Sequence, residues 1–382
     1  MNAPSRLAPD PNQPSKVRVP LVNLRPALEA TANDWRANID RVFARMQFIS
    51  GEQCALFEQE FASSHGARFA VGVGSGTSAI ELSLRAGGIE RRSQEVITSA
   101  LTSPFTALAI LAAGASPCFA DVNADSLLLD PTDVDDRVTR KTAAVVPVHL
   151  YGKMCDLPVF VALARRTGTV LVQDACQAHG ARFRGRPLSD FSACTAYSFY
   201  PTKNLGALGD GGAILTNRSG VAKRLRLLRD GGRNNDQVSR VAGFNSRLDE
   251  MQCCYLRAFL PRLSDWNAHR GRIAHIYDEA LAGCGGVRLV ARGPDSVNHL
   301  YVIRAKKRER LREFLSSRGI LTGVHYPVPL HLQPAFKNCG LKRGDLPRTE
   351  KACREIVSLP LWPYMPESMA RSVAEAVRAF YE

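Results

Sequence analysis

Apolar positions recur along this chain in short runs that switch between two periods. Helical spacing runs over residues 28–46 and again over 53–65, where Phe57 and Phe61 stand about one turn apart. An unbroken apolar run over 69–73 then predicts a strand, and Gly74-Ser75-Gly76-Thr77 ends it before an apolar helix over 78–86. The alternation continues, with strands expected at 96–98, 117–121, 143–148, 169–174 and 193–199 and helices at 106–113 and 158–167. Strands that alternate with helices predict an α/β fold: parallel strands need crossover connections, and the crossovers cover both faces of the sheet.

The rhythm changes near residue 250. One long helical stretch follows to about 281, with a bend expected at Pro261, where a backbone donor is missing. After it come a strand over 300–303, a helix over 307–318 and a Pro-rich set of turns over 326–334. This implies a large domain over 17–250 and a smaller C-terminal α+β domain over 251–382. Residues 1–16 hold four prolines and no apolar run, so they read as a disordered tail and not as a signal peptide.

Composition narrows the class. At 382 residues, with 45% hydrophobic and 23% charged positions, the chain is an ordinary globular protein large enough for two cores. No stretch of about 18 apolar residues occurs, which excludes a spanning helix. The ten cysteines form no C-x-x-C pair and no His cluster stands at metal spacing, so buried thiols in a reducing cytoplasm are expected, with no metal site. The net charge of +14 is dispersed over helix faces, without interleaved aromatics. That argues against a nucleic-acid platform and suits attraction of a small anionic substrate such as a diphosphate.

Three constellations carry chemistry. Gly74-Ser75-Gly76-Thr77-Ser78 joins a strand to a helix, and the N–H groups of such a junction bind phosphate, although Ser or Thr there also serves as a plain helix cap. It lacks the Lys of a P-loop and the third Gly of a dinucleotide loop. Asp174 ends an apolar strand at the sheet edge where open α/β folds place ligands, and its carboxylate suits a protonated ring nitrogen or a helix N-cap equally well. Lys203 follows the strand-like run 193–199 in a Gly-rich turn, Ser198-Phe199-Tyr200-Pro201-Thr202-Lys203-Asn204-Leu205-Gly206, where an exposed amine can condense with an aldehyde. A phosphate cradle, a ring-nitrogen partner and a Schiff-base lysine are what pyridoxal phosphate requires of a protein.

With these motifs the chain resembles the DegT/DnrJ/EryC1/StrS family of sugar aminotransferases, from about Val19 to the C-terminus. The resemblance rests on Gly76-Thr77-Ser78-Ala79, Gln173-Asp174-Ala175-Cys176-Gln177-Ala178-His179-Gly180, the segment 198–212, Gly243-Phe244-Asn245-Ser246-Arg247-Leu248-Asp249-Glu250 and His325-Tyr326-Pro327. It implies a fold-type-I PLP-dependent transferase and a homodimer with shared active sites. It further implies that Lys203 anchors the cofactor and shuttles the proton, and that Asp174 holds the pyridine nitrogen charged. Gln177 would meet the ring hydroxyl, Gly76, Thr77, Ser78 and Ser198 the phosphate, and Asn245 the phosphate of the neighbouring subunit's cofactor. Arg247, His325, Tyr326 and His331 are the expected substrate contacts.

Two positions depart from the family pattern. The usual ring-stacking aromatic falls at Ser103, leaving Phe105 or the backbone at Pro104 to cover the ring, and the common Gly-Thr-Asp-Ala reads Gly-Thr-Ser-Ala. The implied reaction is transfer of an amine, from glutamate, to a keto sugar linked to a nucleoside diphosphate. The His-Tyr-Pro segment is similar to that of members acting at C3. A C4 keto sugar, a keto-inositol, or a non-catalytic regulatory role are the alternatives, while the family's dehydrating members carry His in place of the lysine.

Overall fold

The expected apolar runs become one sheet. We describe the protein from a computed structural model, in which residues 18–234 and 236–382 are described; the tail expected over 1–16 lies outside them. The strands are β1 (Phe69–Val73), β2 (Glu95–Ser99), β3 (Ser116–Ala120), β4 (Thr142–Val146) and β5 (Val170–Asp174), a small separate hairpin of β6 (Arg182–Phe183) and β7 (Arg186–Pro187), then β8 (Cys194–Ser198) and β9 (Gly212–Thr216). Seven of them form a sheet in the order β1-β9-β8-β5-β4-β2-β3. Its central pairs are parallel, and β9 alone runs against both of its neighbours.

That one reversal positions the site. Gly212, the first residue of β9, sits opposite both Val73 and Ser198, the last residues of β1 and β8. The segment 199–211 therefore leaves and re-enters the sheet at its carboxyl edge, and Lys203 stays there with it. Gly206 is required in this turn, because a Cβ would lie 2.3 Å from the carbonyl oxygen of Pro201.

Side chains alternate across the sheet as the pleat demands. Cys194 and Ala196 of β8 join Val71, Ile80 and Ile214 on one face, while Tyr197 and the following Phe199 join Phe57, Phe61 and Leu256 on the other. Phe57 and Phe61 are wholly buried and stack at 5.4 Å, with the Tyr197 ring edge-on to Phe61 at 5.2 Å. Each such side chain stabilises the fold by about 1.5–3 kcal/mol relative to exposure.

The long helical stretch is two helices, Glu250–Phe259 and Leu263–Leu281, joined by a 3-10 turn over Leu260–Arg262 that contains Pro261. Cys253, Leu256 and Phe259 pack with Phe57 in the first core, whereas Ile273, Ile276 and Tyr277 pack with Tyr301, Val357 and Val373 in another. A division at 250 assigns the helix Glu250–Phe259 to the second unit, yet it packs with the first; the change of core falls inside Leu263–Leu281. Beyond it β10 (Val287–Leu289), β11 (Tyr301–Ala305) and β12 (Ile356–Leu359) form an antiparallel sheet, accompanied by the helices Arg308–Ser317 and Glu367–Tyr381. No helix among the described residues is long and apolar enough to cross a membrane.

Candidate active site

A cavity of about 670 Å³ opens at the carboxyl edge of the large sheet, and Gly76, Thr77, Asp174, Ser198 and Lys203 all line it. Gly76 and Thr77 open the helix Gly76–Ala86, whose cap is Ser75: its Oγ accepts from the backbone N–H of Ser78 at 3.1 Å. Ser78 serves this cap and is not among the residues lining the cavity. At Gly76 a Cβ would lie 2.5 Å from Ser198 Cβ and 3.0 Å from Cys176 Sγ, so only glycine lets the helix terminus close against β8.

Asp174 ends β5 almost fully buried and accepts two bonds, from Thr106 Oγ1 to Oδ2 at 2.8 Å and from the Cys176 backbone N–H to Oδ1 at 3.1 Å. Each oxygen is thus oriented by one donor. Gln177 is held by the Tyr151 N–H, which donates to its Oε1 at 2.6 Å, while its Nε2 donates to the Tyr326 hydroxyl at 3.4 Å.

Burial holds the Lys203 amine below the usual lysine range, and the nearby Cys176 thiol and Asp174 carboxylate oppose that shift without reversing it. A depressed amine pKa raises the neutral fraction, which is the nucleophilic form. His325 and Tyr326 stand across the cavity. Burial, assisted by the charge of Lys203, brings His325 down to about 4, and burial pushes Tyr326 up to about 12. Near neutrality both are therefore uncharged, and His325 Nδ1 lies 2.8 Å from Ser358 Oγ.

A model of the DegT/DnrJ/EryC1/StrS aminotransferase family matches residues 30–378. The chain belongs to this family. Among its relatives, a dTDP-3-amino-3,4,6-trideoxy-alpha-D-glucose transaminase of Streptomyces venezuelae is 42% identical over 367 residues, covering 96% of this chain and 97% of the other. A protein of Geobacillus stearothermophilus named a pleiotropic regulatory protein is 40% identical over 369 residues, covering 96% and 99%. The crystal structure of S. venezuelae DesV in complex with a ketimine intermediate superposes with a TM-score of 0.93 at 41% identity, covering 96% of this chain and 99% of that one.

In this aminotransferase most residues singled out from the sequence meet in one place. Ser103 and Phe105 also line the cavity; Ser103 precedes the helix Pro104–Ala112 without a side-chain capping bond, and Phe105 remains 59% exposed. Besides Ser78, three residues lie elsewhere. Asn245 is exposed and Arg247 pairs with Asp230 at 2.9 Å, on a segment whose Ser246 Oγ accepts from the Gly74 N–H at 3.1 Å. Neither lines this chain's own cavity.

His331 is the third. The Pro-rich turn folds into a 3-10 turn, Leu330–Leu332, that sends His331 into the interior, with Nε2 3.3 Å from Glu350 Oε1. It does not line this chain's cavity.

Sequence reasoning also missed members of the site. Thr106, Cys176 and His299 line the cavity, and Tyr151 orients Gln177 from behind. The only signal was the pair Thr102 and Thr106, whose hydroxyls stand 3.4 Å apart across the start of the helix Pro104–Ala112.

Proposed function

We propose that this aminotransferase carries pyridoxal phosphate on Lys203 and moves an amino group, from glutamate, to C3 of a keto sugar linked to a nucleoside diphosphate. The observation that carries the reading is a half-buried lysine of lowered pKa that lines one cavity together with an oriented carboxylate and a helix N-terminus. The residues present fit the group. The Gly76 cradle leaves no room for a side chain and exposes N–H groups to a phosphate, with Thr77 and Ser198 beside it. Bound there, pyridoxal phosphate supplies the electron sink for amine transfer.

The chain's own residues do the rest. Asp174 holds a proton on the ring nitrogen with its two oxygens fixed by Thr106 and Cys176. Gln177, held by Tyr151 and Tyr326, would meet the ring hydroxyl. Lys203 would anchor the cofactor, and its Nζ would hold and return the proton at the substrate carbon. Uncharged His325 and Tyr326 suit hydrogen bonds to sugar hydroxyls, and the net charge of +14 draws a diphosphate inward.

The C3 preference follows the 3-amino sugar product named for the Streptomyces relative. A homodimer with shared sites accounts for Asn245 and Arg247, which do not line this chain's own cavity. Free cysteines suit a cytoplasmic, reducing setting. A regulatory role is the second reading, favoured by the name of the Geobacillus relative.

The test is an absorption spectrum of the purified protein, followed by a mass-spectrometric screen of keto-sugar nucleotides with glutamate. A visible cofactor band that Lys203→Ala abolishes together with turnover is the expected result. Normal transamination by Lys203→Ala sinks the assignment, a C4-aminated product moves the position, and a wild type without band or turnover favours the regulator.

A further inference from the structure

Beneath the Lys203 turn lies a second, small crevice of about 30 Å³, bordered by Lys203, Asn204, Phe259, Trp266 and Arg270. Arg270 and Trp266 are one turn apart on the helix Leu263–Leu281, so their side chains share a face. Arg270 is 2% exposed and Trp266 4%. Both carry a buried donor without a partner among the described residues, Arg270 Nε and Trp266 Nε1.

The charge balance is equally one-sided. Arg270 Nη1 donates to the carbonyls of His299 and Leu361 at 3.3 Å each, and no carboxylate pairs with the guanidinium among the described residues. Burial alone draws it down to about 9. Its neighbours are basic: its charge bears on His179 and His299, both held well below the ordinary histidine range mainly by burial, and Lys203 bears on the same pair. An unpaired buried cation is costly unless a counter-charge reaches it.

We infer that this crevice binds one small inorganic anion, chloride in the cell, between Arg270 and Trp266. A space of this size holds a single ion of chloride dimensions or water. Two buried N–H donors without partners, one of them charged, belong to residues that border the crevice and favour an anion over water. Because Lys203 borders both cavities, the ion also lies close enough to offset part of the positive charge behind the active-site amine.

The experiment uses the cofactor-loaded protein, so that the phosphate cradle is filled. Crystals soaked in bromide are expected to show one anomalous peak beside Trp266 Nε1 and Arg270 Nε. In solution the melting temperature should rise saturably with chloride and not with gluconate at equal ionic strength. Trp266→Phe keeps the packing and removes one donor, and should weaken the chloride response roughly five- to tenfold. Arg270→Met should abolish it; if that variant does not fold, Trp266→Phe carries the test. No anomalous peak, or water at the position, overturns the inference. A peak without a chloride-dependent melting temperature, or a Trp266→Phe response equal to the wild type, means an adventitious ion only and overturns it as well.

Discussion

At the scale of single residues, Thr106 and Lys153 make the sharpest claims. Thr106 supplies the side-chain bond to Asp174, at 2.8 Å and between two buried residues. Thr106→Val keeps the shape and leaves one buried carboxylate oxygen without its donor. We expect kcat to fall about 10- to 100-fold, equivalent to roughly 1.4–2.7 kcal/mol, with weaker cofactor binding and recovery in Thr106→Ser. Steady-state kinetics and a cofactor titration decide it, and an unchanged kcat in the valine variant would refute the positioning role. Lys153 is a second buried amine, which donates to the Ser126 carbonyl and lies 5.3 Å from the centre of the Tyr151 ring. Burial brings it from 10.5 to about 7. Between those values the unfolded chain binds more protons than the folded one, so its contribution to stability rises with pH across that window. Lys153→Met should therefore be more stable than wild type in urea near pH 7, with the gap closing toward pH 10.5; a gap that widens contradicts the assignment. Lys203 and Asp174 were legible because each follows an apolar strand run, and such runs end at the sheet edge whatever the tertiary detail. His331 was not legible: whether a histidine in a Pro-rich turn faces solvent, substrate or core depends on Glu350, nineteen positions away in sequence and adjacent only in the fold.

Among the elements, the helix Glu52–Ser64 shows how a distant residue starts a local structure. Its first N–H groups have no intrahelical partner, and the buried Glu250 carboxylate accepts from Gly51 at 2.9 Å and from Gln53 and Cys54 at 2.8 Å each. A carboxylate at a helix N-terminus also meets the favourable end of the dipole. Glu250→Ala strands three donors at once and should cost about 2–4 kcal/mol of unfolding free energy, while Glu250→Gln, which keeps an acceptor, should cost less. Chemical denaturation measures both, and equal losses in the two variants would mean that bulk rather than hydrogen bonding matters at this position. Neither the cap nor its range was visible in the chain, because the two partners are about 200 positions apart. Strand and helix types were visible, since β1 is one apolar run and Pro261 marks the kink. The apolar spacing over 28–46 hid a break at Thr31, whose hydroxyl turns back to the Ala27 carbonyl at 2.9 Å between the helices Arg25–Ala30 and Ala32–Arg45. The helix Glu367–Tyr381 buries Ala370, Val373, Ala374 and Val377, a spacing readable from the chain itself, whereas the four-residue β12 shows no alternation to read.

On the scale of the whole molecule, the proposed shared site makes a demand that one chain cannot meet. Phe105, Leu108 and Leu111 lie along one helix face with 59%, 37% and 43% of their surfaces exposed, and Phe43, Met46 and Phe48 are likewise uncovered. Apolar surface of this kind beside a cavity mouth fits contact with a second copy. Asn245 stands on the segment tied to the phosphate loop through Ser246 and Gly74, yet it is exposed and does not line its own cavity. If it completes the partner's phosphate site, two inactive variants should repair one another. Lys203→Ala removes the amine from its own cavity, and Asn245→Asp places a negative charge against the phosphate in the other. In a mixed dimer one cavity carries both lesions and the other carries neither. Random mixing makes half the dimers hybrid, and each hybrid has one intact site, so about a quarter of wild-type activity should return. Co-refolded or co-expressed variants, assayed at equal total protein, test this directly. Activity that stays at the sum of the two parents would place Asn245 outside the partner's site and leave each cavity complete within its own chain.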